Sequence, residues 1–93
     1  MRLYQYTLLK QDGSKRKLKP CKKKTLEQLY KILKCDTVTI IPAVYWKGMG
    51  YGKVTMWGDD NARFNSANQQ NPLFHDLGDG YYVVGNILME RKI

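Results

Sequence analysis

Apolar and polar positions alternate with a period of two along Leu3–Lys10, where Leu3, Gln5, Thr7 and Leu9 oppose Tyr4, Tyr6 and Leu8. That period, filled with β-branched and aromatic residues, predicts a strand. Asp12-Gly13 follows as a hairpin turn of the type that needs positive φ at both central residues. The return strand, Lys15–Cys21, alternates Arg16, Leu18 and Pro20 on one side with Lys15, Lys17, Lys19 and Cys21 on the other. Pro20 has no N–H for a ladder, so this strand belongs at a sheet edge.

The pattern changes to helical spacing at Thr25. Leu26, Leu29, Tyr30 and Leu33 recur every three or four positions, Glu27, Lys31 and Lys34 take the opposite side, and Thr25 with Gln28 forms a capping-box signature. Alternation returns in Thr37–Trp46, interrupted at Pro42, then in Lys53–Trp57 after the turn "KGMGYG", and finally in the apolar run Tyr81–Glu90. Residues 58–76 are Asn-rich and unpatterned, which predicts a long loop with one helical turn at most. The order is ββαβββ. It implies an α+β fold: a mostly antiparallel sheet of about five strands with one helix packed on a face. Ninety-three residues predict a single domain, 1–93.

Charge changes this picture more than composition does. Residues 1–34 hold eleven Lys or Arg against Asp12 and Glu27, and the rest hold five against six acids, so the whole formal excess of +8 lies in the first third. Seven cations fall within residues 15–24: Lys15, Arg16, Lys17, Lys19, Lys22, Lys23 and Lys24. A charge run is ordinarily a solvated segment, and edge strands use Lys to discourage pairing with other chains. This one lies between a turn and a capped helix and is broken by Leu18, Pro20 and Cys21, as a half-buried strand would be. Alternate residues on a strand stand about 6.5 Å apart, near the spacing of phosphates along a single strand. The expected partner is therefore a polyanion, with RNA favoured, bound by Lys15, Arg16, Lys17, Lys19, Lys22, Lys23, Lys24 and Lys31 through charge and shape rather than base edges.

Aromatic residues add a second expectation. Tyr4 and Tyr6 share a strand face, and Tyr45, Trp46, Tyr51 and Trp57 gather around the second hairpin. Exposed rings beside a basic strip stack unpaired bases, or dock on a protein partner; the plain alternative is core packing.

No catalytic set is expected. His75 is the single histidine, and it lies in the loop beside Asp76; Cys21 and Cys35 stand far from it in sequence and show neither metal-ligand nor nucleophile spacing. Asp59-Asp60 reads as a turn, and "GMGYG" lacks the Lys-Ser/Thr of a phosphate loop. The reading is a non-enzymatic binding protein with no metal or cofactor. Two cysteines without a signal sequence predict reduced thiols, and the lack of any apolar run near the roughly 20 residues of a membrane span predicts a soluble, cytoplasmic chain without membrane partners.

"TLEQLYKIL", "DTVTIIPAVYW", "GKVTMWGDDNARFNSANQQNPLF" and "YYVVGNILM" together resemble a small domain of unknown function found in bacteriophage and mobile-element accessory proteins, over residues 7–93. Such domains show a short helix, a hairpin ending in an acidic turn, an Asn-containing loop and a closing strand; the cationic second strand departs from that pattern. The resemblance implies no catalytic residues. It implies a setting, the inhibition of host defences such as CRISPR, in which a basic chain would engage RNA, a ribonucleoprotein or an acidic protein surface. Sequestration of a nucleotide signal is a further alternative.

Overall fold

The computed structural model describes residues 2–93. Five strands, β1 (Tyr4–Leu9), β2 (Lys15–Lys17), β3 (Val38–Ile40), β4 (Thr55–Asp59) and β5 (Ile87–Lys92), and one helix, α1 (Leu26–Leu33), follow the ββαβββ order. The sheet is antiparallel throughout, ordered β2-β1-β5-β4-β3, so the last strand enters between the first and the fourth. Its composition accounts for that place. Ile87, Leu88, Met89 and Glu90 are all buried, and a strand covered on both faces carries a continuous rather than an alternating apolar run.

Both faces of the sheet are covered, each in a different way. On one, Tyr6 and Leu88 pack against Leu29 of α1, with Leu8, Leu18, Ile32, Val38 and Trp57 around them. The helix starts at its capping box, where the Gln28 amide donates to Thr25 Oγ1 and the Thr25 amide to Gln28 Oε1. Its apolar stripe meets the sheet at Leu29, Ile32 and Leu33, whereas Leu26, expected on that stripe, is 53% exposed. On the other face Leu9, Met56, Ile87 and Met89 pack under Phe74 and Val83, which come from the long connection between β4 and β5.

The Asn-rich segment is the long loop expected, with a single 3-10 turn at Ala62–Phe64; what the sequence did not show is that this connection covers the second face of the core. Its backbone is held by one antiparallel bridge, Gln70 with Val84, where the Asn71 amide donates to Val83 O and the Gly85 amide to Gln69 O, and otherwise by side chains, as buried polar groups require. Asn71, 1% exposed, donates through Nδ2 to Leu9 O and Gly85 O, both at 2.9 Å, and accepts at Oδ1 from the Leu73 amide at 3.0 Å. Arg63 donates to Gly80 O and Tyr82 O, and its guanidinium stands 4.5 Å over the Tyr82 ring.

Several boundaries move for the same reason. Of Thr37–Trp46 only Val38–Ile40 is strand; past Pro42 the chain forms a 3-10 turn, Ala43–Tyr45, that turns Tyr45 and Trp46 toward the second core. Of Tyr81–Glu90 only the end is strand, because Gly85, at φ +84°, breaks it. The first turn also differs: Gly13 has positive φ and Asp12 does not. The Lys10 amide donates to Ser14 O, the Gly13 amide to Lys10 O, and Asp12 Oδ1 accepts from Ser14, which makes a three-residue loop ending in a glycine bulge.

Gly58 is the glycine with the least room for a side chain among the described residues. A Cβ there would lie 2.8 Å from Ile87 Cδ1 and 3.0 Å from Ile41 Cδ1. Gly58→Ala is expected to cost about 1–3 kcal/mol through overpacking, read as a lower urea midpoint with unchanged slope.

Candidate nucleic-acid interface

β2 is an edge strand, paired on one side only with β1. Its register sets Lys15 opposite Leu9, Arg16 opposite Leu8 and Lys17 opposite Thr7. Arg16 therefore shares the helix face, while Lys15 and Lys17 share the other, and all three are exposed. Lys15 Nζ stands 5.5 Å over the Tyr51 ring.

Past Lys17 the expected row breaks. The Leu18 amide donates to Tyr6 O, but the next pair is Tyr4 with Cys21, so Lys19 and Pro20 together oppose Gln5. This is a bulge of one extra residue, placed where proline has no N–H to give the ladder. The Gln5 side-chain amide donates to Leu18 O. Beyond the bulge Cys21 joins Leu18 in the helix-side cluster instead of continuing the Lys15–Lys17 face.

From there the chain turns into α1. Lys19, Lys22 and Lys23 are exposed and Lys24 is half-buried, with its amide donating to the Tyr6 hydroxyl at 2.9 Å and its Nζ 5.3 Å over the Tyr6 ring. Lys31 lies exposed in the last turn of the helix. The first cation run is thus presented to solvent along one edge and around one corner.

Two grooves extend it, with residues that sequence reasoning missed. One, of about 550 Å³, is lined by Lys23, Lys53 and Lys92 together with Tyr4, Trp46, Thr55 and Glu90. The other, of about 380 Å³, brings Lys10, Arg16 and Lys34 together beside Leu8, Leu18 and Ile32. Lys34 closes the helix in the left-handed region, φ 54°, where glycine is the comfortable residue. Lys53 and Lys92 carry no local signal: only the antiparallel pairing of Tyr4 with Lys92 and of Thr55 with Glu90 gathers them.

Glu90 is 6% exposed, and its Oε2 accepts from the Tyr6 hydroxyl at 2.5 Å. Burial, then the bond to Glu90, holds the Tyr6 phenol well above the usual tyrosine range, so it keeps its proton and donates it. Tyr6→Phe would leave Glu90 and the Lys24 amide unpaired, with an expected loss of about 1–3 kcal/mol in denaturant unfolding.

The aromatic residues do not form one exposed platform. Tyr4 and Tyr6 do share a face, ring centroids 6.5 Å apart, but Tyr6 is fully buried and has no face to offer a base. Tyr45, Trp46 and Tyr51 are half-buried against the loop-side core, and Trp57 lies half-buried in the helix-side cluster on the opposite face. Two rings, Tyr4 and Trp46, line the lysine groove.

The remaining candidates are dispersed. His75 Nε2 lies 2.8 Å from Lys47 O and its amide donates to Tyr45 O, tying the loop layer together. Cys21 and Cys35 are free and half-buried, and burial, with Asp59 nearby, pushes the Cys35 thiol up. No helix among the described residues is long and apolar enough to cross a membrane.

Comparison of the chain with protein-family models, with curated proteins and with solved structures found no match. Its function must be inferred from these residues and their geometry.

Proposed function

We propose that this protein binds single-stranded nucleic acid, RNA above all, without catalysing a reaction, along the β2 edge and the basic turn that follows it. One observation carries the reading. Seven cations between residues 15 and 24 lie on or just beyond an edge strand, six of them exposed, and lysine grooves continue the charge at both ends. Each phosphate neutralised by such a cation releases condensed counterions, which drives binding without base contacts. A flexible single strand can follow a bulged edge that a rigid duplex would touch at few points. In the setting implied by the resemblance to phage and mobile-element domains, the target would be the RNA of a defence ribonucleoprotein, and binding would block it.

The test is fluorescence anisotropy with a labelled single-stranded RNA, the matching DNA strand and the duplex, across a salt series. RNA binding with log K falling linearly in log salt is the expected result, with a slope near −0.7 per phosphate contacted. Binding that is absent at about 50 mM salt, or that does not weaken by about 200 mM, overturns it. Recovery of a host partner that survives nuclease treatment would assign the basic edge to an acidic protein surface instead.

A further inference from the structure

We propose that the groove between Lys23, Lys53 and Lys92 reads one base of the bound strand, and that the base is guanine; this rests on the nucleic-acid reading for delivery of the strand. The groove combines three kinds of group from five separate segments. Three exposed lysines form its rim, from the turn before α1, the approach to β4 and the end of β5. Two half-buried rings, Tyr4 and Trp46, supply flat apolar walls. The third group is Glu90, more than nine-tenths buried. A volume of about 550 Å³ falls in the range of sites for small ligands.

Glu90 is the feature that a simple phosphate site would lack. A carboxylate under a lysine rim repels phosphate, and burying it is costly unless it is hydrogen-bonded. Its orientation is fixed by a relay: the Lys24 amide donates to the Tyr6 hydroxyl, which is thereby turned to donate to Glu90 Oε2. Oε1 and the free lone pair of Oε2 are then the acceptors this carboxylate has to offer the groove. A ligand that suits such a place carries anionic charge at one end and hydrogen-bond donors on a flat ring at the other, which describes a nucleotide. Among the four common bases only guanine presents two adjacent donors, N1–H and the N2 amino group, on its pairing edge. Adenine, cytosine and uracil place an acceptor beside the donor, and an acceptor facing Glu90 is repelled. The lysines would hold the phosphate, Tyr4 or Trp46 the ring face, and Glu90 the edge.

The experiment titrates the nitrogen-15-labelled protein with 5′-GMP, 5′-AMP, 5′-CMP and 5′-UMP, following the Trp46 indole and the amides of residues 52–55 and 90–92. GMP should shift these signals saturably, with affinity roughly 5- to 100-fold above that for UMP, the discrimination expected of a paired hydrogen-bond contact. Glu90→Gln keeps the shape and an acceptor for Tyr6; it should remove the preference for GMP while all four nucleotides still bind through phosphate. Should that variant not fold, Lys53→Gln with Lys92→Gln serves: it should weaken all four nucleotides alike and leave GMP preferred. Equal affinity for the four, shifts confined to other residues, or an undiminished GMP preference in folded Glu90→Gln overturns the inference. A second arm compares an all-U oligoribonucleotide with one carrying a single central G. Salt-dependent binding of both without preference sinks the guanine site and leaves the nucleic-acid reading standing. GMP recognition with no oligonucleotide binding does the reverse.

Discussion

Replacing Lys15, Lys17 and Lys19 together by Gln should lower affinity for single-stranded RNA by about 10- to 100-fold at low salt and flatten the log K against log salt slope by about 2, the share of three phosphate contacts at roughly 0.7 each. The change in slope matters more than the loss of affinity. A misfolded or merely less cationic protein binds less well, but only the removal of contacts made in the complex reduces the number of ions released. The bulge adds an internal comparison. Lys15 and Lys17 share one face of β2, whereas Lys19 lies in the bulge opposite Gln5. The Lys15 and Lys17 single variants should therefore resemble each other, and Lys19→Gln should behave as a separate contact. Lys47→Gln, an exposed lysine outside the basic run and both grooves, removes the same charge and should leave the slope unchanged. A triple variant with the wild-type slope would take the β2 edge out of the mechanism.

The largest loss of stability is expected at Asn71, a residue with no part in binding. Asn71→Ala removes three hydrogen bonds at a site 1% exposed and takes the side-chain donor from Gly85 O, while Leu9 O keeps its place in the ladder opposite Ile87. An unpaired buried acceptor costs about 1–3 kcal/mol. About 3 kcal/mol in all is expected, against a total of about 5–14 kcal/mol for a domain of this size. The melting temperature should fall by about 10–20 °C. Asn71→Asp should be worse than Ala at neutral pH, because it turns a carboxylate oxygen, in place of the amide donor, toward the same two carbonyls. Urea unfolding monitored by circular dichroism orders the three proteins; wild-type stability in Asn71→Ala would mean that the loop layer is held by its apolar contacts alone.

How much of this was legible in advance depends on the range of the interaction concerned. The capping box at Thr25 and Gln28, the strand at Tyr4–Leu9, the edge character imposed by Pro20 and the presence, though not the type, of a turn at Gly13 are all decided within a few residues, and all stand in the fold. The cation run was legible as a run. Its geometry was not, because strict alternation placed Lys19 and Cys21 with Lys15 and Lys17, and a single extra residue opposite Gln5 undoes that placement. Aromatic side chains misled in the same way. Tyr45, Trp46 and Tyr51 sit near a glycine-rich turn and read as an exposed hairpin, yet the second face of the sheet needed covering and they cover it.

Local chemistry, then, specified the elements of this protein: which segments are extended, where its helix begins, and that its positive charge is concentrated before residue 35. Tertiary structure alone decided that β5 lies at the centre of the sheet, that an Asn-rich connection covers one face of the core, and that Lys23, Lys53 and Lys92 line one groove with Glu90. The physical reason is that alternation, capping and turn preference act between near neighbours in the chain. The contacts that place Asn71 and Glu90 instead join residues 62 and 84 positions apart, and burial of the apolar surface selects them only when the whole chain has closed.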